Sequence, residues 1–107
     1  MPKRVRRLRV IGVDFDVKFT NELAERDLEG KCGLTDFGAA RLLIRDSLAI
    51  GQQRNTLLHE ILHALAEAVL PSKRPLTEEQ VEALARGLLA VLRENPDLVR
   101  FIVGEET

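Results

Sequence analysis

The chain has 107 residues, 16 of them basic and 17 acidic, for a net charge of -1, and 45% are hydrophobic. That length fits one domain, residues 1–107, with a modest core, and excludes a second. The balanced charge gives no overall attraction to nucleic acid or anionic membrane, and the one cysteine, Cys32, excludes an intramolecular disulfide and a multi-cysteine zinc site.

The start, Met1-Pro2-Lys3-Arg4-Val5-Arg6-Arg7, is basic, and no apolar run of signal-peptide or membrane-spanning length follows it. A cytoplasmic protein is therefore expected. Residues 4–10 carry a weak strand signal, and Ile11-Gly12 suits a tight hairpin turn. The segment Val13-Asp14-Phe15-Asp16-Val17-Lys18-Phe19-Thr20 alternates strictly, which reads as a strand with Val13, Phe15, Val17 and Phe19 inward. Residues 21–33 are polar and irregular, with a short helical turn near Leu23. After a turn near Gly38, residues 40–46 read as a third strand.

From Ala49 to Leu70 the apolar positions Leu58, Ile61, Leu62, Leu65 and Val69 recur at helical spacing, and Pro71 stops the helix. Thr77-Glu78-Glu79-Gln80 matches a capping box. Val81, Leu84, Leu88 and Leu92 then form the stripe of a second helix ending near Asn95-Pro96, and residues 97–103 suit a short helix. Strands first and helices later argue for α+β, here a small antiparallel three-stranded sheet packed on two long helices.

The only two histidines stand in His59-Glu60-Ile61-Leu62-His63. Residues at i and i+4 share a helix face, so both imidazoles can close on one tetrahedral zinc ion, with Glu60 beside them as a general base. A chain of this size shows the pattern by chance at roughly the one-per-cent level.

A hydrolytic zinc site needs a third protein ligand, and without another histidine it must be a carboxylate. On the second helix, Glu78 lies about 60° from the centre of the apolar stripe, Glu82 about 100° and Glu79 about 160°. Glu79 therefore faces solvent, while Glu78 and Glu82 share one edge of the stripe. Glu67 lies a full turn beyond His63 and reads as a salt-bridge residue first.

Thr56-Leu57-Leu58-His59-Glu60-Ile61-Leu62-His63-Ala64 resembles the active-site helix of small phage and bacterial metallopeptidase-like proteins. These belong to the broad gluzincin class, near the minigluzincins and the ImmA/IrrE-type domains. Ile11 to Val17 is similar to their early hairpin, and Gly33-Leu34-Thr35-Asp36-Phe37 followed by Arg41-Leu42-Leu43-Ile44-Arg45 to the stretch leading into their edge strand. Leu76 to Val81 and Leu84 to Leu88 resemble their second helix. The resemblance implies a minimal zincin-like domain whose third ligand is a glutamate of the helix after the motif. The small phage-type pattern matches Glu78, and the ImmA/IrrE-type pattern, a glutamate followed directly by alanine, matches Glu82. Helical phase and the closer match favour Glu78.

The expected function is a zinc-dependent peptidase of the bacterial or phage-infected cell acting on a peptide or protein substrate. Zinc lowers the pKa of its water towards ~7, and Glu60 takes that water's proton. In the resembling enzymes an edge strand pairs with extended substrate, and residues 40–46, with Leu42, Leu43 and Ile44, are the candidate here. The chain has no tyrosine and no third histidine to steady an oxyanion. Arg86, Arg100 or the metal alone would have to serve. The alternative is a zinc-bearing regulatory or interaction protein with a latent site, over whose metal the acidic Glu105-Glu106 could fold. The basic cluster Lys3, Arg4, Arg6, Arg7 and Arg9 lacks stacking aromatics and reads as a solvated edge strand rather than a nucleic-acid surface.

Overall fold

The structure is a computed structural model that describes residues 5–70 and 76–104. Pro71, the Glu105-Glu106 tail, Lys3 and Arg4 lie outside the described residues. Among the described residues no helix is long and apolar enough to cross a membrane.

Strands β1 (Arg7–Val10) and β2 (Val13–Thr20) form an antiparallel hairpin, Val10 opposite Val13, around Ile11-Gly12. Both turn residues have positive φ, 46° and 79°. That is the backbone a two-residue hairpin needs, and a β-branched Ile11 adopts it under strain. Phe15 and Val17 are buried as the alternation requires, whereas Val13, beside the turn, is exposed.

Asn21 caps a helical turn through Leu23, a single 3-10 turn follows at Arg26–Leu28, and β3 (Gly33–Asp36) then runs antiparallel to β4 (Arg41–Arg45). Strand β4 inserts parallel to β2, giving the order β1-β2-β4-β3. The sheet is thus four-stranded and mixed, which corrects the expected antiparallel three-stranded sheet. The missed strand, β3, has only four residues and no apolar alternation.

A second correction follows from the same topology. Strand β4 is interior, hydrogen-bonded on both sides, and Leu42, Leu43 and Ile44 are fully buried. They have no free backbone edge for a substrate. Three consecutive apolar residues mark a strand covered on both faces, not an edge. The outer edge on this side belongs to β3.

The helices are α1 (Ile50–Val69), α2 (Glu78–Glu94) and α3 (Pro96–Ile102), and only α1 reaches 20 residues. Two long helices alone do not describe the molecule. The capping box of α2 is present: Gln80 N–H donates to Thr77 Oγ1, and Thr77 N–H to Gln80 Oε1. Helix α1 carries two stripes. Leu57, Ile61, Ala64 and Leu65 pack on Val10, Phe15, Val17 and Leu42 of the sheet. Thr56, His59 and Glu60 are also buried although polar, because they face the space between β3 and α2, while buried Gln53 donates its side-chain amide to the Asp46 and Leu48 carbonyls.

Candidate metal centre

A cleft of about 680 Å³ lies between β3, α1 and α2. Its walls include Thr35 and Leu34 from β3, His59, Glu60 and His63 from α1, and Glu78, Glu82 and Arg86 from α2. The i, i+4 spacing on α1 brings the two imidazoles together, Nε2 to Nε2 at 3.1 Å. Glu78, in the first turn of α2, reaches both: Oε1 lies 2.6 Å from His63 Nε2 and Oε2 3.0 Å from His59 Nε2. Among the described residues, His59, His63 and Glu78 form a group able to hold a metal ion.

Glu82, one turn later, meets the other side of His59, with Oε2 2.9 Å from Nδ1. Its Oε1 accepts from Arg86 Nε at 2.7 Å and from Asn55 Nδ2 at 3.3 Å. The Arg86 guanidinium above all, with lesser help from His59 and Asn55, holds the Glu82 carboxyl below its usual range, although burial opposes it. Glu82 is therefore an ionised acceptor, so the His59 Nδ1 donates to it. That leaves the lone pair on Nε2, facing a Glu78 carboxylate oxygen that also carries lone pairs. Two such atoms 3.0 Å apart require a cation between them, a proton or a metal ion. Two imidazole nitrogens and a carboxylate suit a divalent ion of the zinc type. This donor set fits the expected ligands.

Glu60 lies on the inner wall and is 6% exposed. Thr35 Oγ1 donates to its Oε1 at 2.7 Å, while Oε2 lies 4.0 Å from His59 Nε2. Burial pushes the Glu60 carboxyl above its ordinary value, against the Thr35 hydrogen bond and the two histidines, which pull it down. Strand β3 comes this close because of Gly33. A Cβ there would stand 2.6 Å from Thr56 Cγ2, 3.1 Å from Leu43 O and 3.2 Å from Glu60 Cγ.

Thr35, Gly33 and Asn55 were not legible as site residues. A glycine inside a strand marks close backbone approach and could have pointed to Gly33; Thr35 and Asn55 carry no such signal. Glu79 and Glu67 are exposed and outside the metal-binding group. Arg86 lines the cleft, whereas Arg100 pairs with Asp97 on α3 and does not. Cys32 is exposed at the cleft wall, outside the metal-binding group. Comparison with known proteins finds no matching family model, no matching curated protein and no matching solved structure.

Proposed function

We propose that the protein is a zinc-dependent peptidase with His59, His63 and Glu78 as ligands and Glu60 as general base. The observation that carries this reading is the placement of Glu60. One carboxylate oxygen is fixed by Thr35 of β3, and the other lies 4.0 Å from His59 Nε2. A zinc ion in the group supplies Lewis-acid polarisation of a carbonyl and a more acidic water. Glu60 Oε2 takes a proton from the attacking water and returns it to the leaving amine. The hydrogen bond from Thr35 holds Oε1 and leaves Oε2 for the proton. The outer edge of β3 runs along the same cleft and is free of strand partners among the described residues. It offers backbone donors and acceptors to an extended peptide.

A second reading, a zinc-bearing regulatory protein without turnover, is favoured by one observation: the chain has no tyrosine and no third histidine, and Arg86, the arginine in the cleft, is tied to Glu82. The experiment is cleavage of a mixed peptide library by zinc-loaded protein beside Glu60→Gln. The expected result is cleavage by the parent protein and a loss of 10²-fold or more, roughly, in the variant with zinc retained. Bound zinc with no cleavage by either protein would overturn the peptidase reading and leave the second.

A further inference from the structure

The charges of the metal cleft do not balance once an ion is bound. Among the described residues its cations are Lys31 and Arg86, and its carboxylates are Glu60, Glu78 and Glu82. Each carboxylate is engaged: Glu78 by the two histidines, Glu82 by His59, Asn55 and Arg86, and Glu60 by Thr35. Lys31 is exposed, and its ammonium has no ion pair or hydrogen bond among the described residues. Arg86 uses only Nε on Glu82, so its two terminal nitrogens have no acceptor among the described residues. A divalent ion together with these two cations outweighs the three carboxylates by one positive charge.

Both cations are rooted at one end of the cleft. Strand β3 runs in the same sense as α1, with Gly33 beside Thr56 and Thr35 beside Glu60, so Lys31 lies towards the start of α1. Helix α2 runs in the opposite sense, with Glu78 at His63 and Glu82 at Asn55, so Arg86 lies towards the same end. Gln52, from the first turn of α1, lines the cleft there. That turn holds no acidic residue and has no side-chain cap, so the partial positive charge of its N–H groups is not offset.

On the peptidase reading of this cleft, we infer that it selects substrates carrying a carboxylate, drawn to the Lys31 and Arg86 end within about three residues of the scissile bond. Gln52 and His59 are seven positions apart on α1, about 10 Å along the axis, and an extended peptide covers that in about three residues. The carboxylate is either the side chain of an aspartate or glutamate or the free C-terminus of the peptide. The terminal nitrogens of Arg86 offer a carboxylate the open part of the guanidinium fork, and Lys31 adds a movable point charge from the β3 side. A lysine or arginine side chain at this end meets two like charges and no unengaged acid of the cleft.

The test is peptide binding by zinc-loaded Glu60→Gln, which does not depend on turnover. The probes are end-blocked peptides of about ten residues with one aspartate or glutamate moved along a neutral sequence, beside their asparagine or glutamine counterparts. A neutral peptide with a free or an amidated C-terminus separates the two sources of the carboxylate. Acidic probes should bind about fivefold tighter or more than their amide counterparts, the contribution of two exposed charge pairs. The preference should shrink as salt is raised. Lys31→Gln and Arg86→Gln should each reduce it, and the double variant should abolish it. Zinc content is measured alongside, because Arg86 also holds Glu82. An acid preference that survives in the double variant would put the carboxylate on the metal and overturn the inference, as would equal binding of acidic, neutral and basic probes. Acid-selective binding without cleavage by the parent protein would leave the carboxylate subsite standing and overturn the peptidase reading alone.

Discussion

His59 is held by two glutamates of the same helix, one turn apart, and they do different things to it. Glu82 accepts from Nδ1, and Glu78 faces Nε2. The two cannot be exchanged, because only Glu78 also reaches His63. On the proposed function, Glu78→Ala should therefore remove a ligand and lower zinc affinity by more than roughly 100-fold, beyond the range for an orienting group. Glu82→Ala should cost roughly 10–100-fold, the range for a group that orients a ligand without binding the metal. Isothermal titration with zinc measures both; equal losses would contradict this division of roles. Helical phase read from the sequence placed both glutamates on one edge of α2 and favoured Glu78 as the ligand, but it gave no task to Glu82. That task depends on where α2 lies against α1, which local periodicity does not encode.

At the scale of elements, the site rests on the closeness of β3 to α1. Gly33 permits it, and Thr35, two residues on and on the same face of the strand, uses it to hold Glu60. Gly33→Ala inserts a methyl 2.6 Å from Thr56 Cγ2, with the Leu43 carbonyl as a rigid second neighbour. The strand must move, and the expected loss is about 1–3 kcal/mol in urea unfolding. On the proposed function, zinc affinity should change little, since the three proposed ligands lie on α1 and α2, while peptide cleavage should fall. An unchanged unfolding midpoint would show that β3 yields freely. Strand β4 illustrates the opposite case. Its apolar run Leu42-Leu43-Ile44, expected as a substrate-pairing edge, signals burial on both faces by its three consecutive apolar residues, and which strands flank it followed only from the crossover that returns the chain beside β2.

The whole molecule is small, and its two later helices are tied to the body mainly through α1, at the level of the histidines. An ion shared by α1 and α2 is then a crosslink between them. Zinc at about 100 times its dissociation constant adds about 2.7 kcal/mol, and each kcal/mol moves Tm by roughly 4–8 °C in a domain of this size. Chelation should lower Tm by roughly 10 °C or more in differential scanning calorimetry, and His59→Ala should melt at the chelated value with or without zinc. A Tm indifferent to chelation would count against a bound metal.

Several features needed nothing beyond the sequence. The His59-Glu60-Ile61-Leu62-His63 spacing puts two imidazoles on one turn-to-turn face of any helix. The capping box starts α2 at Glu78, and the tight Ile11-Gly12 turn pairs β1 with β2. These are local: a period of 3.6, a hydrogen bond over three residues, a two-residue loop. The parallel insertion of β4, the free edge of β3, the hold of Thr35 on Glu60 and the different tasks of Glu78 and Glu82 were decided only in the tertiary structure. Each depends on segments distant in the chain meeting at a particular offset, and that offset is set by packing rather than by any periodicity along the sequence. The metal group itself shows both: α1 alone aligns His59 with His63, and only the docking of α2 brings Glu78 within 3.0 Å of them.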